Sequence, residues 1–153
     1  MSQIAERTNR RVGRPEPDEA ILTEPRSGRL PVALRIIGAV AVFFVGVVHI
    51  EQYFAADYDK VSVIGPLFVL NFAGATIIAA GLVAPLRRLH PLLALAGIGL
   101  AATSIVFLFI SESQPLFGFR ERGYSPPIVI ALAAEAIAVA VLGTYLVRRR
   151  AAR

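Results

Sequence analysis

No cysteine and no tryptophan occur in this chain of 153 residues, and histidine occurs twice, lysine once and methionine once. Without cysteine there is no disulfide exchange, no thiolate metal site and no quinone-coupled thiol oxidation of the kind some four-helix membrane oxidoreductases perform. Redox chemistry would need a bound cofactor, and no HExxH pair, nucleotide-binding glycine loop or intramembrane protease motif is present. The two histidines, His49 and His90, sit at opposite ends of apolar regions, whereas a bis-histidine haem needs both ligands at one depth on facing helices. Small multidrug exporters also combine four spans with a membrane glutamate, but they carry that charge on the first helix with tryptophan nearby. We expect no metal centre and no cofactor, and lean away from an enzyme.

Charge is also missing from four long blocks, although hydrophobic residues make up 56% of the chain and the net charge is +5. Each block is long enough to cross a hydrocarbon core of about 30 Å at about 1.5 Å per helical residue. Lipid is therefore the expected solvent. The predicted spans cover 31–54, 61–84, 91–111 and 127–147, with prolines 85, 91, 126 and 127 punctuating their ends. The fold expected is all-α, an up-down-up-down four-helix membrane bundle over residues 31–148, because linkers of about 7, 6 and 15 residues suit antiparallel neighbours.

Thirteen of the sixteen Lys and Arg residues lie in the N-terminal segment through Arg35, join the second span to the third, or follow the fourth. Only Lys60, Arg120 and Arg122 fall on the other side, so the positive-inside rule places both termini in the cytoplasm. Anionic lipid headgroups, not nucleic acid, are the expected counter-charge. Residues 1–30 carry six Arg against five acids with three prolines and read as a disordered cytoplasmic tail, and 149–153 as a basic one. Arg35 is placed to snorkel to the near interface. The last linker combines Leu116, Phe117 and Phe119 with Arg120, Glu121, Arg122, Gly123 and Tyr124. It either folds over the outer mouth of the bundle or lies among headgroups, and we prefer the second reading.

Helices in lipid associate through close packing, and small residues are plentiful here. Gly38, Val42, Gly46, His49 and Tyr53 share one stripe of the first span; Gly74 and Ala75, Gly97, Gly99 and Ala101, and Ala131, Ala134 and Ala138 follow on the others. Close packing within the chain accounts for them, and a homodimer or larger membrane complex is a possible partner arrangement.

Polar side chains inside a span are costly and mark candidate sites. Asn71 and Glu135 each lie about 12–15 Å below the outer boundary. Thr103 and Ser104 reach that depth on the third span, and His49 lies about one turn nearer the surface. We expect these five to face one outward-opening polar pocket with Tyr53, Glu121 and Tyr124 at its outer rim. Glu135 stands out, because a carboxylate in hydrocarbon demands a proton, a cation or a hydrogen-bonded partner. The plainer roles are interhelical glue for Glu135, a structural hydrogen bond for His49 and a solvated rim charge for Glu51.

His49 and Tyr53 closing the first span, Ile64-Gly-Pro-Leu-Phe-Val-Leu-Asn71 opening the second, and Phe119-Arg-Glu121-Arg-Gly123-Tyr124 before a helix carrying Glu135 form a pattern. It resembles uncharacterised small four-helix integral membrane proteins of high-GC Gram-positive bacteria over about residues 31–148. The resemblance implies a bacterial plasma-membrane location and no particular activity. The residues themselves support a non-enzymatic protein that binds a small molecule, lipid or cation, or accompanies a larger complex. The alternative is a proton-coupled small transporter using Glu135, and third comes an enzyme of lipid or quinone chemistry.

Overall fold

The computed structural model describes residues 29–121 and 123–151, and these form four helices: α1 (Arg29–Ala55), α2 (Ile64–Val83), α3 (His90–Ser113) and α4 (Pro126–Ala151). All four are long and apolar enough to cross a membrane, and no strand occurs among the described residues. Each helix carries proline in its first turn: Pro31, Pro66, Pro91, and Pro126 with Pro127. The missing N–H removes a donor that would have no intrahelical partner there, and the fixed φ is already helical. Pro85 and Pro115 act at the other ends by forcing the preceding residue out of the helical region. Ala84 (ψ 157°) and Gln114 (φ −150°, ψ 157°) are extended accordingly.

Two boundaries differ from expectation. α2 starts at Ile64, not 61, because Tyr58–Lys60 wind a 3-10 turn entered through Asp57 in a left-handed conformation (φ 59°). α4 runs through Arg148, Arg149 and Arg150, so these are a helical turn and not a separate tail. Cations in a last turn complement the helix dipole, and Arg149 donates to the Tyr145 hydroxyl (2.8 Å) and the Arg87 carbonyl (3.2 Å). Arg29 and Leu30 open α1, and the rest of the tail expected to be disordered lies outside the described residues, as do Arg122 and residues 152–153.

α1 packs on α2 and α4, and α3 completes the group by packing on α4 and α2. The core is built from small residues and a few branched ones: Ala39, Val42 and Val45 of α1, Ala75 and Leu82 of α2, Ala94 and Ala101 of α3, Ala138 and Leu142 of α4. Absent side chains let the helices meet. A Cβ built on Gly46 would stand 2.7 Å from the Ala75 Cβ, and one on Gly97 would stand 2.8 Å from Leu142. Gly99, by contrast, faces open space. Outside this seam the surface is apolar, as lipid requires, with Val40, Leu70, Ile77 and Leu92 all more than 60% exposed.

The structure corrects one expectation at the arginine-rich end. Arg35 turns inward instead of snorkelling outward: its Nη1 donates to the Leu82 carbonyl and lies 2.8 Å from His90 Nε2. That carbonyl is one of the last four of α2, which have no partner within the helix. The guanidinium thus satisfies an otherwise unpaired carbonyl with a charge-assisted bond. His90, at the start of α3, is 5% exposed and sits 2.9 Å from the Ala84 carbonyl. Every acidic residue described (Glu51, Asp57, Asp59, Glu112, Glu121, Glu135) lies in the other half of the helices or in the loops beyond them.

Candidate functional site

Packing is tight toward the arginine-rich end and opens toward the other. There the four helices line a cavity of about 140 Å³. α1 contributes Val48, His49 and Gln52; α2 Leu67, Phe68 and Asn71; α3 Ser104, Phe107 and Leu108; α4 Ile128, Ala131 and Glu135. Apolar and aromatic groups dominate the walls, and polar side chains gather on one side.

Glu135 is the most buried charged residue of the site at 2% exposure, and its Oε1 lies 3.8 Å from His49 Nε2. His49 Nδ1 donates to the Val45 carbonyl one turn back (2.8 Å), which leaves Nε2 of the neutral ring as a bare acceptor toward the carboxyl group. Two lone-pair donors facing one another in an apolar cavity repel, so the pair is stable only with a proton or a cation between or upon them. On the far side Asn71 Nδ2 donates to Ser104 Oγ (2.8 Å), and the Ser104 hydroxyl is directed at the Glu135 carboxyl group. Asn71 Oδ1 is buried with no partner. Phe68 bridges to the mouth: its ring meets His49 edge-on (centroids 5.0 Å apart) and lies 4.7 Å from Tyr58.

The long last linker covers this cavity, which reverses the preference for a headgroup loop. Leu116 and Phe119 exchange backbone hydrogen bonds (2.7 and 2.9 Å) across Phe117 (φ 52°) and Gly118 (φ 80°). Two successive left-handed residues make this a tight reversal, which suits glycine and is strained for phenylalanine. The turn points Leu116 and Phe119 into the cavity and Phe117 outward, while Glu121 N–H donates to the Ser111 carbonyl (3.1 Å) and ties the loop to the end of α3.

Tyr58 completes the closure by donating its hydroxyl to Glu121. Desolvation first, then the bond to the Glu121 carboxylate and its charge, hold the Tyr58 hydroxyl protonated above the usual value of 10.0. The neutral form is thus the one the folded state favours, and its stabilisation is complete below that value and lost as pH rises through the raised one. Thermal unfolding followed from about pH 9 to 11.5 is expected to show wild type falling more steeply than Tyr58→Phe, with the two converging. Parallel curves would refute the tie.

Four of the expected pocket residues, His49, Asn71, Ser104 and Glu135, share the cavity wall, with Glu121 at the rim. Thr103 does not. It is one residue, about 100°, around α3 from Ser104 and is exposed on the outer face. Tyr53 packs beside Gly65 and edge-on to Phe54 without lining the cavity. Tyr124 is 51% exposed and bonds Glu112, which raises its hydroxyl pKa, at a shallow depression outside the main cavity. Gln52 and Tyr58 were not anticipated at the site. Gln52 is three residues beyond His49 on one helical face, a spacing that could have revealed it. Tyr58 depends on the Asp57 reversal, which has no comparable local signal.

No family model matches the chain, and no curated protein or solved structure matches it either.

Proposed function

We propose that this is a polytopic plasma-membrane protein of a bacterium that binds a small, largely apolar molecule with one polar end, without chemically changing it. The observation that carries the reading is the cavity itself: a ring-sized space with apolar walls from four helices and an unsaturated polar cluster at one side. Its about 140 Å³ is close to the ~150 Å³ of cavities that take benzene. A structural glue would have closed on itself, whereas Asn71 Oδ1 and His49 Nε2 stay unspent.

The arrangement in the membrane belongs to the same reading. Contacts of Arg35 with Leu82 and His90, and of Arg149 with Arg87, join the start of α1, the α2–α3 turn and the end of α4. Tyr58 with Glu121 joins the other ends. Both support helices running alternately up and down. Clustering of Arg29, Arg35, Arg87, Arg88 and Arg148 to Arg150 at one end supports a cytoplasmic placement of that end, with the cavity toward the outer side. Kinship with the small membrane proteins of high-GC Gram-positive bacteria described above is part of the same proposal and rests on the sequence pattern alone.

Binding is tested by thermal unfolding of the purified protein in lipid nanodiscs with benzylamine or benzyl alcohol, ring-sized probes with one polar end. At about ten times Kd the expected rise in Tm is about 3–6 °C. Ala131→Phe, which fills the cavity from α4, should lose that rise while retaining its helix content. A wild-type Tm unmoved by both probes would sink the proposal.

A further inference from the structure

The donor side chains on the cavity wall already give hydrogens to protein acceptors: Gln52 to Glu51 (2.5 Å), Tyr58 to Glu121, Asn71 to Ser104 (2.8 Å), Ser104 to Glu135 and Ser111 to the Leu108 carbonyl (2.8 Å), with one further N–H left on each of the two amides. His49 spends its Nδ1 hydrogen on Val45 (2.8 Å). The acceptors left without a hydrogen on this wall are His49 Nε2 and the Glu135 oxygens, and behind them Asn71 Oδ1 is buried without a partner. Among the described residues neither lysine nor arginine lines the cavity, whereas two carboxyl groups, Glu135 and Glu121, do. A ligand that brings donors together with positive charge meets both His49 Nε2 and Glu135. A carboxylate would meet like charge there.

We infer that the polar end of the ligand is an ammonium group, so that the cavity takes a small aromatic or aliphatic primary amine in its protonated form. The inference rests on the proposed binding role of the cavity and names its ligand class. The N–H donors of an ammonium group match His49 Nε2 and the two Glu135 oxygens, and the Tyr58 and Phe68 rings, 4.7 Å apart, present faces and edges on which a cation and its apolar body rest. The second consequence is exchange. With the cavity empty Glu135, buried among apolar groups, keeps a proton, and His49 Nε2 stands 3.8 Å away, beyond direct hydrogen-bond reach. When the amine enters, the carboxyl O–H bond breaks, the carboxylate takes the ammonium, and the proton leaves to water, one cation out for one in. Titratable groups facing Glu135 are His49 from α1 and, toward the mouth, Tyr58 and Glu121; α2 and α3 contribute Asn71 and Ser104, which do not titrate.

The test is isothermal titration of the full chain in neutral phosphatidylcholine nanodiscs with three isosteric probes, benzylamine, benzyl alcohol and toluene, each corrected against empty nanodiscs. At pH 8 benzylamine should bind at least about tenfold more tightly than benzyl alcohol, with toluene weakest. Lowering the pH should weaken benzylamine by up to about tenfold per unit and leave benzyl alcohol unchanged, and buffers of different ionisation heat should report about one proton released. Glu135→Gln should bring benzylamine down to the level of the alcohol. Because the pH and proton-release measurements use wild type, they decide the matter even if that variant fails to fold. Benzyl alcohol binding as tightly as benzylamine, or amine affinity indifferent to pH, would overturn the ammonium inference and leave the binding role standing. Failure of all three probes would overturn both.

Discussion

Gly46→Val is expected to destabilise the protein by about 3 kcal/mol and to abolish probe binding. The hydrogen of Gly46 faces Ala75, and a Cβ there would also stand 3.2 Å from the Phe72 Cα, which is backbone and cannot rotate away. Relief requires α1 and α2 to part. Gly46 lies one turn below His49 and Ala75 one turn below Asn71, so parting the two helices pulls His49 away from Asn71. Reversible unfolding in mixed detergent micelles measures the first effect and titration with benzylamine the second. Gly99→Ala, made where nothing approaches, is the matched control and should change neither. A Gly46→Val protein as stable as that control would show that the α1–α2 spacing is soft.

Leu142→Ala is expected to cost about 3–4 kcal/mol. Leu142 is fully buried and fills the space left by two glycines, Gly38 of α1 and Gly97 of α3, so one side chain joins three helices beneath the cavity. Truncation leaves a void that the helices cannot all close at once. Gly97→Ala alone should also destabilise, since its Cβ would meet Leu142 Cδ1 at 2.8 Å, but in Leu142→Ala the new methyl finds room. A double-mutant cycle should therefore show a favourable coupling of about 1 kcal/mol or more. Simple additivity would mean that the contact is not a contact in energy.

Much of this was readable before any coordinates. Four spans follow from apolar length, because in lipid each backbone group must be satisfied within its own segment and only a helix achieves that locally. Proline positions read correctly as element ends for the same local reason. The depth of His49, Asn71, Ser104 and Glu135 followed from counting along each helix, which is a one-dimensional measure. Where reading failed, the missing quantity was rotational or non-local. Thr103 and Ser104 are equally deep, and only the packing of α3 on α4 and α2 turned the serine inward. Arg35 lay within reach of an interface, yet the unpaired end of α2 was closer, and no pattern within α1 records where α2 ends. The loop carrying Phe117 and Gly118 shows mixed aromatic and charged composition, which suits both headgroups and a cap; two left-handed residues and a bond from Tyr58 decided for the cap.

Composition and spacing by themselves determined the solvent, the number of spans, the charge asymmetry and the level at which polar groups collect, because each of these is a sum or a count along the chain. Tertiary structure alone decided which polar groups look at one another. The rotation of each helix about its axis is set by where Gly38, Gly46 and Gly97 admit their neighbours, and that fit exists only once the helices are assembled. The cavity, its surplus of acceptors and its cover are products of that fit.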